Sequence, residues 1–249
     1  MMYYGFHILG FIASLCYLYW VFPKYKVNRL RGFCLAACTY LTAYALMLVL
    51  FWMITGNFGG QNVIRVFLFL PLILWLYANT FGVDYKKSLD FAAPVLCIAQ
   101  AFGKIGCTIS GCCESWLEVT WGVYNPYTET RLFPVQIAEG ITALVIAIAV
   151  ILIAARKDFR ADGSTMAWMW VMFGPTRVVW EFFRETEKLF WGLSELSLWS
   201  IALSIAGVLW LILYKKQGFV KGFSIFYRTM GEKATVISLA ILPSCRYNK

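Results

Sequence analysis

The sequence predicts an all-α, polytopic membrane protein with seven transmembrane helices, its N-terminus outside and its C-terminus in the cytoplasm. Two observations carry the fold class. Of 249 residues, 61% are hydrophobic and only 14% charged, whereas a soluble domain carries about 25% charge with less than half its residues apolar. The apolar residues also gather into seven runs of about 20, the length that crosses a bilayer core as a helix. A cytosolic globular enzyme, a disordered chain and a small disulfide scaffold are excluded. Helix is the expected form because lipid offers open backbone no hydrogen-bond partner.

The runs read as roughly 4–22, 33–54, 62–83, 91–113, 134–154, 166–183 and 196–214. They form one domain over 1–214, followed by a basic cytoplasmic tail over 215–249. The fourth is the least regular, since it holds Lys104 with Gly103, Gly106 and Gly111. The start has no basic n-region, so no cleaved leader is expected.

Loop charge sets the orientation. Sixteen of the 22 basic residues fall on one side, in 23–32, 84–90, 155–165 and the tail. The other side has Arg131, Arg184 and Lys188. Basic loops stay in the cytoplasm. That accounts for the net charge of +9 without nucleic acid, and none is expected as a partner.

Five ionisable residues fall within spans: Arg65, Lys104, Glu139, Arg177 and Glu181. Each costs at least about 2.5–3.5 kcal/mol to insert, so such groups mark function. On this topology all five lie in the outer half of the bilayer, Lys104 about 13 Å below the outer edge at 1.5 Å per residue. They suggest one polar chamber open to the outer leaflet. Arg177 and Glu181 stand four apart on one helix face. The net charge of the five is positive, which suits an anionic phospholipid headgroup, since Arg presents a planar fork to phosphate oxygens. The small residues Gly103, Gly106, Ser110 and Gly111 leave room for close helix packing or for a lipid.

The eight cysteines contain no C-x-x-C pair and read as small apolar residues. Metal ligation by Cys112, Cys113 and Glu114 is set aside, because the single histidine, His7, is distant in sequence. No metal and no cofactor is expected.

Several motifs resemble the prolipoprotein diacylglyceryl transferase family. Arg177-Val-Val-Trp-Glu181-Phe-Phe-Arg184 is similar to that family's R-x-x-x-E-F-F-R. Gly103-Lys104-Ile-Gly106-Cys107-Thr-Ile-Ser110-Gly111 is similar to G-R-x-G-N-F-x-N-G. Leu89-Asp90-Phe-Ala-Ala-Pro94 resembles D-F-I-A-P, Trp121-Gly-Val123 resembles W-G-V, Pro134-Val-Gln136-Ile-Ala-Glu139 resembles P-S-Q-L-Y-E, and Gly59-Gly60 the end of H-G-G. The six keep their order from about residue 58 to 184. Departures are Lys104 for the family Arg, Phe58 and Phe133 for its histidines, Ala138 for its Tyr, Cys107 for its Asn and Cys112 for its Glu. With His7 far from every motif, no histidine base is expected at the site.

The resemblance implies a seven-span enzyme of the bacterial plasma (inner) membrane. It moves the diacylglyceryl group of phosphatidylglycerol to the thiol of a prolipoprotein signal-peptide cysteine. Arg177 and Glu181 are then the catalytic candidates. Lys104, Gly103, Gly106, Ser110, Gly111, Gln136, Glu139 and Arg65 are the candidates for substrate binding. The alternatives are a member of the same fold that binds or moves an anionic lipid or amphiphile without that chemistry, and a membrane thiol oxidoreductase using Cys107, Cys112 or Cys113.

Overall fold

The computed structural model describes residues 2–56, 63–125, 129–187, 189 and 191–215. Seven helices follow in order: α1 (Met2–Val21), α2 (Arg29–Thr55), α3 (Val63–Phe81), α4 (Tyr85–Ser110), α5 (Val135–Arg156), α6 (Ser164–Phe182) and α7 (Glu195–Lys215). Four of them contain stretches long and apolar enough to cross a membrane, in α2, α4, α5 and α7. The basic tail beyond 215 lies outside the described residues, as do Phe58, Gly59, Gly60 and the side chain of Arg65. Met1–Val208 forms one compact unit, and Leu209–Lys249 a second that is described only over the end of α7.

Two helices, α2 and α4, begin a full turn or more before their apolar runs, and capping explains both. Asn28 accepts the N–H groups of Leu30 and Arg31, which draws the basic residues 29–31 into the first turn of α2. Asp84 does the same for Lys86 and Lys87 at α4. A side-chain oxygen at the cap satisfies donors that have no partner inside the helix.

The segment 114–133, between the fourth and fifth apolar runs, carries a β-hairpin of β1 (Glu118–Asn125) and β2 (Thr130–Leu132). Gly122 is required there, because a Cβ would sit 2.2 Å from the Leu132 carbonyl oxygen.

Helix α4 is the hub, packing on α1, α3, α5 and α6. Helix α5 turns small residues inward: Gly140, Ala143, Ala147 and Ala154 are buried, while Ile141, Val145, Ile148 and Leu152 are exposed. Large apolar side chains facing out with Gly and Ala facing in is the arrangement that lipid favours. Gly140 matters most for position. A Cβ there would lie 3.1 Å from the Ala101 carbonyl oxygen and 3.6 Å from Lys104 Cβ. Its absence lets α5 close on α4 beside Lys104 and Glu139.

Asp90 joins the other end of the bundle. Its carboxylate accepts the backbone N–H groups of Asp162, Gly163 and Thr165, each at 3.0 Å. Gly163 caps α6 without a side chain of its own. Asp90 therefore supplies from α4 the anion that the α6 N-terminus needs.

Candidate functional site

Lys104 near the end of α4, Glu139 in the second turn of α5, Arg177 and Glu181 at the end of α6, and Arg184 just beyond it form one ion-pair cluster. Lys104 Nζ lies 2.5 Å from Glu139 Oε2. Arg177 Nη1 lies 3.2 Å from Glu139 Oε1 and 2.6 Å from Glu181 Oε2. Arg184 Nη1 lies 3.7 Å from Glu139 Oε1 and 3.6 Å from Glu181 Oε2. Each of these side chains is at least nine-tenths buried. The other Glu181 oxygen accepts from Ser194 Oγ at 2.8 Å, and Ser194 also takes the Ser197 N–H at the start of α7.

Three cations against two carboxylates leave one net positive charge. Arg184 supplies the third cation among the described residues; the side chain of Arg65 lies outside them. Burial alone would lower the Arg184 pKa; Glu139, the Cys113 sulfur and Glu181 outweigh it and raise it. Donors remain to spare. Arg184 Nε meets no acceptor among the described residues, and Arg177 Nη1 has carboxylate neighbours but no aligned hydrogen bond. A narrow cleft lined by Thr142, Phe173, Thr176 and Trp180 reaches Glu139 and Arg177.

The hairpin segment is strapped to the end of α6 and carries Arg184 inward. Ser115 Oγ donates to the Phe183 carbonyl at 2.6 Å, Trp116 Nε1 to the Phe182 carbonyl at 2.8 Å, and Ser115 pairs with Arg184 in a β-bridge. Asn125 Nδ2 donates to Glu114 Oε2. Phe133 stacks on Trp180 at 6.4 Å and touches Trp121 and Phe183.

The remaining sequence candidates sit at the edge of this cluster. Gln136 Nε2 donates to the Cys112 carbonyl at 2.9 Å, so it holds the turn after α4. Ser110 Oγ donates to the Cys107 carbonyl at 3.1 Å and lies 3.1 Å from the Cys112 sulfur. Gly111 adopts φ +66° as the α4 cap. Gly106 is buried. Gly103 makes room for an imidazole: His7 Nε2 lies 3.8 Å from where its Cβ would be. The expectation that His7 lies far from every motif is corrected, because α1 packs along α4 and brings it to the G-K-x-G turn.

A sequence model of the prolipoprotein diacylglyceryl transferase family matches residues 1–213. The chain belongs to that family. Relatives named phosphatidylglycerol–prolipoprotein diacylglyceryl transferase include those of Idiomarina loihiensis, 29% identical over 64% of this chain and 62% of the relative, and Methylobacillus flagellatus, 30% identical over 62% and 61%. A third, from Nitrosomonas europaea, is 28% identical over 63% and 59%. The chain spans about three fifths of the length of these curated relatives.

Three family-like motifs converge on the cluster: Gly103–Gly111 supplies Lys104, Pro134–Glu139 supplies Glu139, and Arg177–Arg184 supplies the rest. The D-F-A-A-P motif does not reach it; Asp90 works at the opposite end of α6.

Proposed function

We propose that this chain is a membrane transferase that moves the diacylglyceryl group of phosphatidylglycerol to the thiol of a prolipoprotein signal-peptide cysteine. The observation that carries the reading is the buried cluster of Lys104, Arg177 and Arg184 around Glu139 and Glu181, at the meeting point of three family-like motifs. Helices α1–α7 cross the bacterial inner membrane with the N-terminus outside, a topology supported by the sixteen basic residues on one side. The cluster then faces the outer leaflet.

Arg177, Arg184 and Lys104 bind the phosphate, and Glu181, which faces both arginines, holds the guanidinium groups in register. The acceptor sulfur attacks the glyceryl carbon that carries the phosphate oxygen. The C–O bond breaks and glycerol phosphate leaves with the electron pair. Fixed cations aimed at a developing negative charge are the largest catalytic resource such a site has. The thiol proton needs an acceptor, and His7 beside Gly103 is the one imidazole in the chain. Phe133 packs on Phe183 and on Trp180, which lines the cleft that reaches Glu139 and Arg177.

The test is direct. Purified protein with phosphatidylglycerol and a lipobox-cysteine peptide should give a peptide heavier by one diacylglyceryl group. A well-folded protein that yields no such product from phosphatidylglycerol overturns the reading. For topology, a cysteine at exposed Trp191 should label from outside intact cells, and one at exposed Arg160 should not; the reverse pattern moves the site to the other leaflet.

A further inference from the structure

The turn after α4 gathers three sulfurs that the transferase chemistry above leaves unused. Gly111 at φ +66° ends the helix, and Cys112 N–H returns to the Cys107 carbonyl at 3.2 Å. Cys113 follows at φ +65°, a left-handed conformation that costs a residue bearing a Cβ roughly 1–2 kcal/mol. The result is that the sulfurs of Cys107, Cys112 and Cys113 all lie within 4.8 Å of one another. Zn–S bonds of about 2.3 Å in a tetrahedron place sulfurs about 3.8 Å apart. Rotation of the thiols by less than about 1 Å each would therefore close the set on one ion.

The surroundings are those of a supported site. Ser110 Oγ at 3.1 Å from the Cys112 sulfur can donate to a thiolate, and Gln136 fixes the Cys112 backbone through its carbonyl. Three thiolates with Zn2+ carry one negative charge, which Lys104 and Arg184 complement, since both act on the Cys113 sulfur. Ligands held by such neighbours keep their geometry before the metal arrives.

We infer that Cys107, Cys112 and Cys113 bind one thiophilic cation, Zn2+, with the fourth position open for the acceptor thiol of the substrate. Three protein ligands with one open position is the pattern of a catalytic rather than a structural zinc. A thiol that coordinates such an ion is deprotonated outright. The acceptor role rests on the transferase reading; the cation site does not. In that step the acceptor thiol would bind as thiolate, its proton passing to solvent water. Its sulfur lone pair forms the S–C bond to the glyceryl carbon, the C–O bond breaks, and that pair leaves on the phosphate. No redox change occurs. The neutral thioether product is a weaker ligand than a thiolate and departs.

The experiment uses the full chain, extracted in detergent under reductant. Elemental analysis should find one Zn2+ per chain in the wild type and none in the Cys107→Ser, Cys112→Ser, Cys113→Ser triple variant. With Co2+ in place of Zn2+, the wild type should show sulfur-to-cobalt charge-transfer absorption. That absorption should grow on adding a lipobox-cysteine peptide and stay constant with the serine analogue. If the triple variant does not fold, Cys113→Ser alone should weaken Zn2+ binding at least about tenfold, the minimum known for losing even an outer partner. Folded wild type without metal, metal retained by the triple variant, or a disulfide among the three in protein isolated without reductant overturns the inference. Glyceryl transfer by metal-free protein overturns the acceptor-thiol role of the ion and leaves the transferase reading. A Co2+ band that responds to the cysteine peptide without any glyceryl transfer does the opposite.

Discussion

Glu139 is the anion on which the cluster turns, so Glu139→Ala tests the geometry most directly. Its two oxygens face Lys104 at 2.5 Å, Arg177 at 3.2 Å and Arg184 at 3.7 Å. Arg177 and Arg184 keep Glu181 when Glu139 is removed. Lys104 has no second carboxylate among the described ion pairs, and its side chain is only 10% exposed. Breaking a buried pair by removing one partner costs about 3–5 kcal/mol, because the other charge stays in a poor solvent. At about 2–4 °C per kcal/mol for a chain of this size, the melting temperature should fall by about 6–20 °C. Lys104→Met in the same chain removes the stranded charge, so the double variant should regain at least about half of that loss. The assay is thermal unfolding of the purified chain in detergent, followed by tryptophan emission and aggregation. A Glu139→Ala variant that melts with the wild type refutes the argument. So does a double variant no more stable than Glu139→Ala, because the cost would then not be a stranded lysine.

On the transferase reading, Arg at position 104 restores the planar fork, so Lys104→Arg should preserve or raise the transfer rate. Lys104→Gln should lower it by about 10²–10³-fold, the loss of one aimed donor; equal rates for all three would remove Lys104 from the phosphate site. Asp90→Ala leaves three backbone N–H groups at the α6 start without their acceptor, and should cost about 1.5–3 kcal/mol in thermal unfolding. Asp90→Asn, which keeps one acceptor oxygen, should lose less. Burial would raise the Asp162 pKa, but Lys157 and Ser164 outweigh it and hold the carboxyl below the usual range. A folded pKa below the unfolded one gives stability that is present above the unfolded value of about 3.9 and lost as pH falls through the folded value. The melting-temperature gap between wild type and Asp162→Asn should thus hold near neutrality and close below about pH 4; a gap independent of pH contradicts the pairing.

The helices were legible because lipid imposes one strong signal, a 20-residue apolar run, and each run became a helix. Arg177 with Glu181 was legible for a similar reason: four-residue spacing on a helix settles adjacency without tertiary knowledge. Arg184 was missed. A basic residue just past an apolar run reads as a flanking charge, and only the strap from Ser115 and Trp116 folds it inward. The end of the R-x-x-x-E-F-F-R motif was the available signal, since position 184 stands three beyond Glu181 and seven beyond Arg177. His7 and the cysteine trio share another cause. Contacts between α1 and α4, and two left-handed residues in one turn, bring together groups whose spacing follows no ligand pattern. Asp90 matched a motif, but its work as the cap of α6 needs a partner far along the chain.

The cluster's net charge bears on how it can both fold and act. Three buried cations without anions would not be tolerated in an apolar surrounding. Glu139 and Glu181 make the empty site stable, yet they occupy the very cations that phosphate needs. Anion exchange resolves the conflict on the transferase reading. A phosphodiester carries one negative charge, as Glu139 does, so its phosphate can take Glu139's position against Lys104, Arg177 and Arg184 with no cation stranded. The cost of substrate binding is then the displacement of the Glu139 carboxylate, a buried anion that loses its partners. The leaving glycerol phosphate develops a second negative charge toward the −1.5 to −2 of a phosphate monoester. That charge appears against donors not yet spent, Arg184 Nε among them. Interactions that strengthen only as the bond breaks lower the barrier, whereas those already made with the substrate do not. A site that entered the reaction with a larger positive excess would hold the substrate more tightly and gain less from the change.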